Sequence, residues 1–269
     1  MDFLDRARPL LGEDGLAVLR EKTIAFAGLG GVGGGAFLAL VRCGLRRFRL
    51  AENGIFDPPD MNRQAAAFGT TLGRPKLDVY MELARSINPD MDITPYPEGI
   101  TPENIDRFLD GSDVHVGVID AEKGEDVKRM TPAMQEKHRI PVFTCGAVGF
   151  GAIMINFAPG GMKPNEFWSL AAQGDAGGGL LPSAMLGCFS AAVMERISKA
   201  LPTGKVPTTA IGGLAANALL ANEVLACLLA DSALAERGVI FAPRYVALDF
   251  MTQRLTVADI TQPGRPRAS

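Results

Sequence analysis

Gly28-Leu29-Gly30-Gly31-Val32-Gly33 decides the fold. It follows a five-residue apolar run, residues 23–27, and precedes an apolar stretch at 36–43 that stops at Gly44, a good helix C-terminal signal. Residues 48–51 read as a second strand. Strand, glycine turn, helix and strand make a β-turn-α-β unit with the glycines where the strand becomes a helix. Backbone N–H groups at such a helix start, aided by the helix dipole, bind phosphate. Gly28, Gly30, Gly31 and Gly33 allow a close approach that side chains would block. Glu52, just after the second strand, is placed to accept hydrogen bonds from ribose hydroxyls.

Outward from this unit the alternation continues. Residues 2–22 read as a helical preamble with charged ends. An irregular stretch, 53–72, holds Pro58, Pro59 and Asn62-Arg63-Gln64. Residues 74–87 have helical period through Leu77, Met81 and Ala84. A strand at 91–96, a short helix at 102–109 and a buried-strand run at 114–119 follow, the last ending at Asp120. A helix at 125–138 and a strand at 141–144 complete the pattern. The fold class is therefore α/β: a Rossmann-like, mostly parallel sheet with helices on both faces. After Gly149 the grammar changes. Residues 152–157 read as a strand and 160–182 as a long loop with Gly177-Gly178-Gly179 in it. Apolar helices are expected at 183–201 and 210–230, and a hairpin at 245–250 and 254–258. The division is an N-terminal helical segment (1–22), a nucleotide-binding part (23–160) and a crossover loop (161–182). C-terminal helices and hairpin (183–260) follow as an extension of the same compact domain. The Pro/Arg tail (261–269) is expected to fray.

Two cations and one carboxylate sharpen the chemistry. A nucleoside triphosphate cleaved between its α and β phosphates develops charge on the leaving pyrophosphate, which arginine, lysine and Mg²⁺ stabilise. Arg63 and Lys76 lie beyond the turn, and Asp120 ends a strand on the ligand-binding edge of such a sheet. A hard carboxylate there suits Mg²⁺. A nicotinamide-dependent oxidoreductase would use the same glycines and Glu52, but it explains neither the cation pair nor Asp120. A catalytically inactive nucleotide-binding scaffold would not require all three.

Composition sets the remaining bounds. With 47% hydrophobic and 21% charged residues over 269 positions, the chain can bury a full α/β core. A net charge of −3 argues against a nucleic-acid surface, even with Arg42, Arg46, Arg47 and Arg49 close together. The N-terminal residues lack the apolar core of a signal peptide. Residues 210–230 are about as long as a membrane span, but Asn217, Asn222 and Glu223 point to a helix buried in the protein. A soluble, cytoplasmic protein is expected. None of the four cysteines, Cys43, Cys145, Cys188 and Cys227, has a C-x-x-C partner, so zinc is not expected.

Over residues 5–160 the chain resembles the ThiF/MoeB/HesA family, bacterial relatives of ubiquitin-activating enzymes. The resemblance rests on G-L-G-G-V-G, on Met61-Asn62-Arg63-Gln64, on Gly73-Arg74-Pro75-Lys76 and on Asp120-Ala121. It implies an ATP-dependent adenylyltransferase that activates a carboxylate with ATP and Mg²⁺. The family's usual substrate is the C-terminus of a ubiquitin-like or sulfur-carrier protein. Some relatives instead activate a small-molecule, peptide or tRNA-linked carboxylate. By position, Glu52 is similar to the family's ribose-binding aspartate, Arg63 and Lys76 to its phosphate-binding residues, and Asp120 to its magnesium aspartate, with Asn62 a further cofactor-binding residue. The resemblance also implies a homodimer in which an N-terminal arginine, here Arg8 or Arg6, reaches the neighbouring site. The chain departs from the family in four ways. Glu52 stands for aspartate, Asp60 stands where asparagine is common, paired C-x-x-C motifs are missing, and the 160–182 loop has no cysteine. Cys188, just beyond that loop, reads as core ahead of nucleophile.

Overall fold

The computed structural model describes residues 3–119, 125–173, 181–204, 206–232, 234, 237–262 and 267–268. A helix, α1 (Arg8–Glu21), bends at Gly12 and leads into β1 (Thr23–Ala27), α2 (Gly33–Arg42) and β2 (Arg47–Ala51). Then come α3 (Lys76–Ile87), β3 (Asp92–Tyr96), α4 (Ile105–Leu109), β4 (Val114–Gly117), α5 (Glu125–His138) and β5 (Val142–Val148). These five strands are mutually parallel in the order β3-β2-β1-β4-β5. They are joined by helices, as parallel neighbours require.

Past β5 the sheet becomes antiparallel. β6 (Gly151–Phe157) folds straight back on β5, Val148 opposite Gly151. After α6 (Pro164–Ala171), α7 (Ser183–Leu186), α8 (Ala191–Ala200) and α9 (Ala210–Leu228), the chain returns as β7 (Arg244–Asp249) and β8 (Arg254–Asp259). β9 (Arg267–Ala268) closes a nine-stranded sheet of order β3-β2-β1-β4-β5-β6-β7-β8-β9.

Both faces are covered because strand residues alternate sides. On one face Phe26, Phe48, Phe37 and Tyr80 pack edge to face, with Phe37 and Phe48 centroids 4.9 Å apart. Each such fully buried ring contributes about 2–3 kcal/mol. Leu220 and Val224 bring α9 into the same cluster. On the other face Ala25, Ala27 and Tyr96 meet Phe108 and Val127 from α4 and α5. His115 of β4 lies buried there against Phe108, with Nδ1 3.2 Å from the Ala25 carbonyl oxygen. Burial lowers its pKa to about 4, so it is a neutral core residue near pH 7. Ile153, Ile155 and Phe157 pack with Phe167, Met185 and Ile197 of α6, α7 and α8.

Three expectations need correction. The 161–182 stretch is not all loop, because α6 forms within it: Pro164 begins the helix and Phe167 and Ala171, four residues apart, are buried. Residues 174–180, with the three glycines, lie outside the described residues. The 183–201 helix breaks in two, because Ser190 N–H leaves the helical ladder to donate to buried Asp249 Oδ2 at 2.8 Å. The tail does not simply fray, since Arg267 and Ala268 pair with Val257 and Thr256.

Helix α9 has the length and composition of a membrane span, yet 56% of its apolar window is buried in the protein. It packs on α2, β5 and β6.

Candidate functional site

The glycine turn sits where β1, β2 and β4 end. Gly28 N–H donates to the Ala51 carbonyl at 2.9 Å, tying the turn to β2. Its φ of +95° and the Val118 carbonyl oxygen, 2.7 Å from where a Cβ would stand, leave room only for glycine. At Gly33 a Cβ would lie 1.9 Å from the Gly28 carbonyl oxygen, so α2 starts in contact with the turn. The turn's first helical bond runs from Gly34 N–H to Gly30 O at 3.0 Å. The amides just ahead of it are the orphan donors that open any helix.

Glu52 closes the mouth of this turn. Its Oε2 accepts from Leu29 N–H and its Oε1 from Gly54 N–H, each at 2.7 Å. Each carboxylate oxygen has a second lone pair, so a ribose hydroxyl can still be accepted. The longer side chain thus serves the loop backbone as well as any sugar.

The segment between β2 and α3 lays its cations against the turn. The Arg63 stem passes Gly31, whose Cβ would stand 3.0 Å from Arg63 Cγ. The Arg63 guanidinium donates to Asn62 Oδ1 at 2.8 Å and to the Pro59 carbonyl at 3.1 Å. Lys76 begins α3; its stem runs 3.5 Å from the Cβ position of Gly54, whose carbonyl accepts Lys76 N–H at 2.9 Å. Lys76 Nζ then meets Asp60 Oδ2 at 2.9 Å, in a pair whose side chains are only 13% and 9% exposed. Asp60 also accepts from Gln64 Nε2 and, at 3.2 Å, from Asp57 N–H. Burial raises the Asp60 pKa, but the hydrogen bonds from Lys76 and the Asp57 amide outweigh it, so the net shift is downward. Asp60 is therefore a carboxylate that holds the lysine in place.

The structure brings Gly28, Gly30, Gly31, Gly33, Glu52, Asn62, Arg63 and Lys76 together. Arg8 pairs with Glu13 along α1, and Arg6 is exposed. Asp120 lies outside the described residues; Val118, two positions before it, borders Gly28. Among the described residues no three His, Cys, Asp or Glu side chains are grouped to hold a metal. Mg²⁺ ordinarily takes one or two carboxylates plus phosphate oxygens, so Asp120 remains the residue whose chemistry suits it.

Sequence reasoning left Asp60 as a departure from the family and did not assign Gln64 a role. Its clue was position: an acid four residues before a glutamine, and a lysine at the next helix start. Asn217, in the apolar α9, was also left without a role. Burial pushes the cysteines upward: Cys145 to about 12, Cys227 to about 11, and Cys43 and Cys188 in the same direction. Cys188 Sγ lies 3.8 Å from Tyr245 Oη in the core around α7, which suits packing and not attack.

A glycine loop at the C-terminal edge of a parallel sheet, flanked by arginine and lysine, defines the class. The model of the ThiF family matches residues 4–267, and the chain belongs to that family. It is 37% identical over 100 residues to a tRNA threonylcarbamoyladenosine dehydratase of Bacillus subtilis, covering 37% of this chain and 39% of that protein. It is 26% identical over 162 residues to the sulfur carrier protein ThiS adenylyltransferase of Escherichia coli, covering 59% and 63%. In both cases the match spans less than two thirds of the relative. The structure of E. coli MccB with ATP shares the fold, with a TM-score of 0.70 at 14% identity over 96% of this chain and 72% of that one.

Proposed function

We propose that this protein is an ATP-dependent adenylyltransferase that activates a carboxylate as its acyl-adenylate. The observation that carries the reading is the placement of Arg63 and Lys76 beside Gly31 and Gly54, next to a glycine loop clamped by Glu52. A dinucleotide site binds its pyrophosphate at the glycine turn and does not by itself explain that pair of cations. The amides of the loop and the α2 dipole hold phosphate, Glu52 accepts from the ribose, and Arg63 and Lys76 neutralise charge on the phosphates. A substrate carboxylate oxygen attacks the α-phosphorus, the bond to the α–β bridging oxygen breaks, and pyrophosphate leaves with that electron pair. No general base is needed, because the carboxylate is already ionised near neutral pH. Asp120 would hold Mg²⁺, which would supply further charge neutralisation when bound.

Lys76 reaches the phosphates by sharing its ammonium between Asp60 and phosphate oxygens. A second copy of the chain would bring Arg8, or Arg6, to the same phosphates. The carboxylate belongs to the C-terminus of a small carrier protein or to a specialised peptide, small-molecule or tRNA-linked substrate; the relatives' names include a sulfur carrier protein adenylyltransferase and a tRNA threonylcarbamoyladenosine dehydratase. Pyrophosphate exchange into ATP, dependent on added carboxylate, tests the reading. Calorimetric binding of NAD with no binding of ATP–Mg²⁺ overturns it in favour of an oxidoreductase.

A further inference from the structure

Asn217 stands in the middle of α9, a helix built mostly of alanine, leucine and glycine, and is only 7% exposed. Three carbonyl oxygens converge on one atom of its side-chain amide: those of Gly31 at 3.0 Å, Val32 at 2.6 Å and Gly213 at 3.1 Å. Three acceptors around one atom identify it as the nitrogen, since oxygen there would face only oxygens. Two of the three belong to the phosphate loop itself, some 185 residues earlier in the chain. The other end of the amide rests on α2, where a Cβ at Gly35 would stand 1.9 Å from it. Gly213, one helical turn before Asn217, is close enough to the loop that its Cβ position is 3.5 Å from the Arg63 carbonyl oxygen.

The consequence follows from the planarity of the peptide bond. In a trans peptide the C=O and the following N–H point in opposite directions. Holding the Gly31 and Val32 carbonyls toward α9 turns the Val32 and Gly33 N–H groups away from it. Those are the donors a phosphate requires. Without an anchor, a loop of glycines would lose much of this orientation, because glycine peptides rotate freely. We propose that Asn217 is a positioning residue for the phosphate loop: it preorganises the Val32 and Gly33 amides for the triphosphate from the far end of the chain. The inference rests on the adenylyltransferase reading for its ligand, and it makes α9 part of the nucleotide site without touching nucleotide.

The test compares ATP–Mg²⁺ with adenosine, which lacks the phosphates, on wild type and Asn217→Leu, using calorimetry for ATP and ligand-observed NMR for adenosine. Leucine keeps the volume and removes the donor. ATP affinity is expected to fall about tenfold, the loss of about 1.4 kcal/mol of hydrogen bonding, while adenosine affinity changes less than twofold. A parallel fall in both ligands, or no fall in either, overturns the proposal. Gly35→Ala, whose methyl would displace the same amide, is expected to repeat the ATP-selective loss and serves if Asn217→Leu does not fold. If wild type binds no ATP, the adenylyltransferase reading fails instead. The loop role is then judged by amide hydrogen exchange: Val32 and Gly33 must exchange faster in the folded variant than in wild type, and equal rates overturn it.

Discussion

Strands β1 to β5 and strands β5 to β9 share one sheet but are built in two ways. In the parallel part every strand runs in the same direction, so every strand's C-terminal end, and the loop after it, arrives at the same edge. The glycine turn after β1, Glu52 after β2 and Val118 after β4 therefore collect at one place. In the antiparallel part successive ends alternate between edges, and among the described residues no comparable cluster forms. Its contribution to the site comes instead through α9, which crosses back over β5 and β6 to rest on α2. Chemistry is gathered by parallel topology, and support is supplied by a long-range helix.

The largest expected effect separates the two parts. Lys76→Ala removes a phosphate cation from the parallel edge and leaves Asp60 buried without it; pyrophosphate exchange should fall about 10²–10³-fold. A comparable fall from a conservative change on β7 or β8 would break the comparison. Gly33→Ala forces a methyl onto the Gly28 carbonyl and should cost about 3 kcal/mol or more in urea unfolding, with nucleotide binding lost in parallel.

His115 tests the parallel core by pH. Its folded pKa of about 4 lies below the ordinary 6.5, so the unfolded chain takes up the proton first. The stability this contributes is complete above pH 6.5 and is lost as pH falls towards and through 4. Relative to His115→Gln, wild type should lose about 3 kcal/mol across that window in denaturant titrations. Asp60→Asn sharpens the site by removing the charge that competes for Lys76: ATP–Mg²⁺ should bind about fivefold tighter, read by calorimetry. The smallest effect belongs to the antiparallel part. Cys188→Ala should cost about 1 kcal/mol of stability and leave pyrophosphate exchange within about twofold, whereas a complete loss of exchange would make the thiol catalytic.

Legibility followed the same division. Strand β1, the turn, α2 and β2 were readable because each is specified within about ten residues: an apolar run, glycines at a strand end, a 3.6-residue period and a glycine stop. The hairpin β7–β8 was readable for the same local reason. The helix at 183–201 misled, because its interruption depends on Asp249, a hydrogen-bond acceptor about sixty residues further on. In the 161–182 stretch the glycines outweighed the short apolar period of α6.

By itself the sequence determined the α/β class, the glycine turn, its acidic companion Glu52 and the pair of cations, because these are properties of residue type and short spacing. Only the tertiary structure decided what each of them touches. It turned Glu52 onto the Leu29 and Gly54 amides, set Asp60 against Lys76 and laid Asn217 beneath Gly31 and Val32. Those contacts depend on the order of strands and the path of α9, and no local pattern encodes a hydrogen bond between residues almost two hundred positions apart.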